Sequence, residues 1–262
     1  MSEFRGKAGL ITGAAGGIGR ATAIAFGKMG ANVVVADLES SRTQSLETVD
    51  MVKRAGGDAT FVAVDVADAR SVESLVLATI GHYGRLDFAH NNAGILSTGF
   101  TADISESDFD RILAVDVKGV WLAMKYEILY MKDNGGGTIV NTASEAGLVG
   151  TPMAGAYVAA KHAVVGLTKT AAGEYANMGI RINAVAPGAI ETPMVSSLPR
   201  EGQELLMAPQ PLHRFGTPEE VAEAVVWLSS DRSSFVLGTV LSIDGGATSN
   251  AQSFDPNLSP SK

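Results

Sequence analysis

Apolar positions along the chain follow two alternating spacings. Short bounded runs rich in apolar and β-branched residues fall at 8–12, 32–37, 60–66, 86–91, 137–143, 180–186 and 240–243, and each reads as a strand, the one at 32–37 as a buried strand. Between them apolar residues recur every three or four positions over 17–29, 40–55, 68–83, 105–131, 153–178 and 218–229, the spacing of one helix face. Boundary residues agree. Gly30 and the Gly56-Gly57 pair stand where helices stop, Asp68 and Ser105 where they start, and Ser105 with Asp108 forms a plausible capping box. Thr217 followed by Pro218 opens the last helix with an N-cap and a proline at the first helical position.

Seven strands alternating with about six helices predict a Rossmann-type α/β fold, a doubly wound, mostly parallel sheet with helices on both faces. No linker or composition break divides the chain, so one domain is expected over 1–262, with its core at about 5–248. Two stretches depart from the pattern. The connection 193–217 carries Pro193, Pro199, Pro209 and Pro211 and is long enough to be functional. From Ala247 the pattern is lost, and a frayed tail is expected over about 249–262.

Charge and composition remove several classes of function. The net charge of −8, with no Lys/Arg run, argues against nucleic acid as a partner. No apolar stretch approaches the roughly 20 residues that span a bilayer, and the polar start 1–7 does not resemble a secretory signal. The absence of cysteine excludes thiolate nucleophiles and Cys-based metal sites, and is compatible with a reducing cytoplasm. His82, His90, His162 and His213 show no ligand spacing, so no metal is expected, and no Gly-x-Ser-x-Gly elbow supports a hydrolase.

The chemistry gathers at strand ends. Gly13, Gly16, Gly17, Ile18 and Gly19 lie in a Gly-rich turn between the first strand and the first helix. Such a turn lets backbone approach a pyrophosphate at a helix N-terminus. Asp37 ends the second strand, where a carboxylate accepts hydrogen bonds from ribose hydroxyls and repels a 2′-phosphate. NAD is therefore expected rather than NADP. Arg20 and Arg42, nearby in sequence, read as solvated helix surface. Tyr157 and Lys161 are four apart on a predicted helix and share one face. An unperturbed phenol titrates at about pH 10, and a neighbouring ammonium favours the phenolate, which makes Tyr157 a candidate acid/base. Ser144 ends the fifth strand and is placed to bond a substrate oxygen.

The segment 12–19 (TGAAGGIG), Asp65, 91–94 (NNAG), Ser144, Tyr157 with Lys161 (YVAAK) and 187–192 (PGAIET) occur in the order and spacing of one family. The chain resembles the short-chain dehydrogenase/reductase family, in its short-subunit branch, from about residue 5 to 248. The resemblance implies that Tyr157 is the general acid/base and that Lys161 holds the nicotinamide ribose and favours the phenolate. It implies that Ser144 orients the substrate oxygen and that Asp65 and Val66 flank the adenine. Asn92, with Ala93 and Gly94, would line the adenosine side, Asn92 through its backbone. Pro187, Gly188, Ile190 and Thr192 would hold the carboxamide and diphosphate, and 193–216 would be a substrate lid. One position departs from the family: Asp116 stands where an asparagine usually helps hold a relay water, and Asp cannot donate a side-chain hydrogen bond unless protonated.

The pocket is less defined. Glu145 either enters it, where it would disfavour anionic substrates, or faces solvent in a turn; Met153, Met194 and Met207 are pocket candidates, with Ile95, Leu96, Leu148 and Val149. A moderately hydrophobic cyclic, aromatic or secondary alcohol is the expected substrate. The expected reaction is NAD(H)-dependent interconversion of a secondary alcohol and a ketone. The alternatives are a 3-oxoacyl-type reductase and an NAD-binding regulatory protein without turnover. By resemblance a homotetramer is expected, built on the two long helices.

Overall fold

The structure is a computed structural model and describes residues 3–249. Its strands are β1 (Ala8–Thr12), β2 (Asn32–Asp37), β3 (Asp58–Ala63), β4 (Phe88–Asn91), β5 (Gly137–Thr142), β6 (Ile180–Pro187) and β7 (Val240–Ile243). They form one parallel sheet in the order β3-β2-β1-β4-β5-β6-β7. The order reverses between β1 and β4, which opens a crevice at the carboxyl ends of these strands.

Side chains on alternate strand positions enter different cores. Leu10, Val34 and Ala36 pack with α3 (Ala69–Tyr83), α5 (Val120–Met131) and α6 (Gly155–Tyr175) on one face. Ile11, Val33 and Val35 pack with α1 (Gly17–Lys28), α2 (Arg42–Ala55) and α9 (Pro218–Ser229) on the other. Both faces of β1 and β2 are thus covered, which is why their sequence is apolar without alternation. Gly9 leaves room for Phe88, whose ring stacks on Phe26 at 4.0 Å between centroids.

Several boundaries differ from the sequence reading. β3 begins at Asp58 rather than 60, because Gly56 (φ 107) ends α2 and the Asp58 N–H bonds at once to the Ala31 carbonyl. The helix expected over 153–178 starts at Gly155, since Met153 is left-handed (φ 64), and its end tightens into a 3₁₀ turn over Ala176–Met178. The helix expected over 105–131 is three segments: α4 (Glu106–Ile112), a π-helical stretch Leu113–Gly119, and α5. Only half of its capping box forms: Ser105 Oγ accepts from the Asp108 N–H, but the Asp108 carboxylate accepts from that same hydroxyl. The complete box is at Thr217 and Glu220. The connection after β6 is not structureless; it holds α7 (Pro193–Ser196) and α8 (Arg200–Met207). Order also persists past Ala247, where Thr248 N–H and hydroxyl both donate to the Asp244 carboxylate; the rest of the expected tail, 250–262, lies outside the described residues. Among the described residues no helix is long and apolar enough to cross a membrane.

Candidate active site

The strand ends open into a cavity of about 730 Å³, and most of the sequence candidates line it. Gly13, Gly16, Gly17 and Ile18 form its wall after β1. Gly13 (φ 65) and Gly17 (φ 50) are left-handed, and a Cβ on Gly13 would stand 2.9 Å from the Ala93 Cα. No side chain caps α1, so its first N–H groups and positive dipole end are left to a ligand. Gly19 does not line the cavity. A Cβ there would meet the Gly13 carbonyl and Asn92 Nδ2, so Gly19 serves the close packing beneath the turn.

Asp37 is held in place: Oδ2 accepts from the Ala15 N–H at 2.9 Å and Oδ1 from the Leu38 N–H at 2.8 Å. The two nearby guanidiniums are engaged elsewhere. Arg20 bonds the Ala15 carbonyl, Thr48 and Glu47, and Arg42 pairs with Glu39 at 2.6 Å. Asp65 and Val66 line the same end, with the Asp65 carboxylate accepting from the Ala67 N–H. A Gly-lined turn, an uncapped helix end and a fixed carboxylate fit a dinucleotide.

The segment from Asn92 to Gly94 lines the floor. Sequence reasoning missed what fixes it. Thr12 Oγ1 accepts from the N–H groups of Asn92 (3.0 Å) and Ala93 (3.1 Å), and Asn92 Nδ2 donates to the Thr12 carbonyl. The Asn92 N–H is therefore not free for a ligand. Thr12 stood in the sequence as the first residue of the TGAAGGIG segment, without a role of its own.

Ser144, Tyr157, Lys161 and Asp116 all line the cavity. Ser144 is buried just past β5, and its Oγ accepts from the Ala146 N–H at 3.2 Å. Lys161, buried on α6, donates to the Thr142 carbonyl at 3.0 Å, and its Nζ lies 5.4 Å from the Tyr157 ring centre. The Asp116 carboxylate has two partners. Its Oδ2 is 3.1 Å from Lys161 Nζ, and its Oδ1 accepts from the Ile95 N–H at 2.8 Å. Burial opposes the charged form of Lys161, but Tyr157 and Asp116 outweigh it and its pKa is raised. Gly94 gives the pair its space, since a Cβ would stand 2.9 Å from Asp116 Oδ2 and 3.3 Å from Lys161 Nζ.

Glu145 enters the cavity rather than facing solvent in a turn. Burial, then repulsion from Asp244, pushes its carboxyl up to about 7. Met153 lines the cavity in its left-handed conformation, its carbonyl accepting from the Gly99 N–H at 2.8 Å. The Met194 side chain lies outside the described residues. Pro187, Gly188, Ile190 and Thr192 complete the rim, with Thr192 capping α7. Ile95 and Leu96 contribute to the lining, whereas Leu148, Val149 and Met207 do not; Val195, Leu198, Leu205 and Leu206 of the α7–α8 segment take their place. Among the described residues no group of three or more His, Asp and Glu is gathered as a metal site.

A family model described as enoyl-(acyl carrier protein) reductase matches residues 13–248. A 2,5-dichloro-2,5-cyclohexadiene-1,4-diol dehydrogenase of Sphingobium indicum is 45% identical over 95% of this chain and 99% of its own. A cyclohexanol dehydrogenase of an Acinetobacter species is 42% identical over 95% and 97%. The crystal structure of levodione reductase superposes with a TM-score of 0.86 at 38% identity, covering 95% of this chain and all of that one.

Proposed function

From the premise that this chain belongs to the short-chain dehydrogenase/reductase family and is an oxidoreductase of secondary alcohols and ketones, we propose that it uses NAD(H) and acts on ring alcohols through Tyr157. The observation that carries this is the meeting of Ser144, Tyr157 and Lys161 in the cavity that also holds the uncapped N-terminus of α1 and Asp37.

Each residue has a task set by its surroundings. The N–H groups opening α1 hold the diphosphate, while Asp37 accepts from ribose hydroxyls. A 2′-phosphate would meet the Asp37 carboxylate with both neighbouring guanidiniums already paired. The bound nicotinamide supplies the hydride acceptor or donor. In oxidation Tyr157 Oη takes the proton of the carbinol hydroxyl, and Ser144 Oγ holds that oxygen in place. Lys161 keeps its charge below the Tyr157 ring and favours the phenolate. The apolar side chains of the α7–α8 segment exclude water from the ring. Support for ring substrates is the apolar lining together with the relatives named for cyclic alcohols. We place the enzyme in a reducing cytoplasm, as a homotetramer packed through α5 and α6; Trp121 and Leu129 stand exposed on α5.

Reduced-nicotinamide absorbance with NAD+ and NADP+ separately, across cyclic alcohols, tests the reading. Turnover with NAD+ and a loss of at least about 100-fold in Tyr157→Phe are expected. A preference for NADP+ would refute the role of Asp37, and normal turnover by Tyr157→Phe would refute the mechanism.

A further inference from the structure

We propose that Glu145 is a specificity-determining residue whose carboxyl binds a second hydroxyl of the substrate, so that the site selects ring diols and hydroxyketones over rings with one oxygen. This rests on the oxidoreductase reading above.

The geometry begins with sequence. Glu145 directly follows Ser144, and consecutive Cα atoms are about 3.8 Å apart. Both residues line the same cavity, so one ligand can meet the Ser144 hydroxyl and the Glu145 carboxyl together. The short 3₁₀ turn Glu145–Gly147 fixes this placement, with the Gly147 N–H bonded to the Ser144 carbonyl. The Glu145 carboxyl then lies over Gly188, where a Cβ would stand 3.0 Å from Oε2. Glycine at 188 leaves that space open.

Oε2 of Glu145 is buried and accepts no hydrogen bond within the protein. A buried carboxyl oxygen without a partner is costly. Its neighbour Asp244 does not relieve it. Asp244 is itself an acceptor, already bonded by the Gly246 N–H, the Thr248 N–H and the Thr248 hydroxyl. A hydroxyl of a ligand in the cavity can supply the donor. The other carboxylates lining the cavity are engaged elsewhere: Asp37 and Asp65 at the ribose and adenine end, Asp116 beneath Lys161. Glu145 is thus the carboxyl left for the substrate end, among apolar side chains such as Ile95, Leu96, Met153 and Leu206. In that setting one polar group sets orientation and selectivity.

A hydroxyl suits this carboxyl in either protonation state. The carboxylate accepts from it, and the acid donates to it. With the carboxyl pushed up to about 7, both forms are populated at neutral pH. A hydroxyl keeps a hydrogen bond to either form, whereas an anion is repelled by the carboxylate form.

The test compares cyclohexanol with the isomers of cyclohexane-1,2-diol and cyclohexane-1,4-diol, in wild-type protein, Glu145→Leu and Glu145→Gln. Two readouts are taken: kcat/KM with NAD+, and ligand affinity for the protein–NADH complex by cofactor fluorescence. The expected result is that Glu145→Leu loses at least about tenfold more for one diol than for cyclohexanol in both readouts. Glu145→Gln, which retains a donor and an acceptor, keeps most of that selectivity. Equal losses for diol and alcohol, no loss for either, or a preference for a cyclic amino alcohol over the diols would overturn the proposal. Absence of turnover with every compound would count against the oxidoreductase reading instead, while the affinity ratio would still decide the role of Glu145.

Discussion

Replacing Asp116 with asparagine would remove one charge from a buried pair and leave its shape in place. The amide oxygen can still accept from the Ile95 N–H, which now bonds Oδ1 at 2.8 Å. What is lost is the carboxylate 3.1 Å from Lys161 Nζ. Lys161 Nζ is in turn 5.4 Å from the Tyr157 ring centre, so the two legs place the carboxylate within about 8.5 Å of that ring. At an effective dielectric of about 20, a charge at that distance disfavours a phenolate by about 2 kcal/mol. With Lys161 in its charged form, held by its bond to the Thr142 carbonyl and its interaction with Tyr157, Asp116→Asn should therefore move the acid limb of kcat/KM for alcohol oxidation to lower pH. The assay is initial-rate kinetics with NAD+ and a ring alcohol from about pH 5 to 10, with circular dichroism to confirm the fold. A limb that stays in place, or moves to higher pH, would refute the argument.

Three further outcomes follow from buried groups. Burial pushes Glu127, which accepts from Asn91 Nδ2, up to about 8 from 4.5. A raised folded-state value means its contribution is complete below about pH 4.5 and is lost as pH rises through about 8. Glu127→Gln should flatten the fall in melting temperature across that window, and an unchanged difference between variant and wild type would count against it. Thr12→Val strands the N–H groups of Asn92 and Ala93, at about 1–3 kcal/mol each; a lower melting temperature and weaker NAD binding are expected by calorimetry. Gly94→Ala drives a methyl group against Asp116 and Lys161 and should lower kcat by about tenfold or more, with about 1–3 kcal/mol of overpacking; kcat within twofold of wild type would exclude that contact.

Local features were readable because short-range geometry produces them. Asp37 had to fall at the end of a strand, since the run before it is apolar without alternation. Tyr157 and Lys161 had to share a helix face at four residues' separation. The Gly-rich turn had to open a helix, as Gly13 and Gly17 show by their left-handed backbone. Other features gave no local sign. The π-helical stretch around Asp116 has the same apolar spacing as the α-helix predicted there, so periodicity could not separate them. Leu205 and Leu206 fall in the segment that the resemblance gave as a substrate lid, but nothing in the sequence singled out those two as cavity lining.

Chain order and hydrogen-bonding period were enough to set the parallel sheet, its alternation with helices, and the collection of Ser144, Tyr157, Asp37 and the glycine turn at one edge. Those periods depend only on backbone geometry and neighbouring side chains. The Asp116–Lys161 pair, the clasp of Thr12 on Asn92 and Ala93, and the placement of Glu145 Oε2 over Gly188 depend on separations between residues remote in the chain. Charge and hydrogen-bond energies turn on ångströms and on exclusion of water, and neither is defined until the strands are in register and the helices have packed.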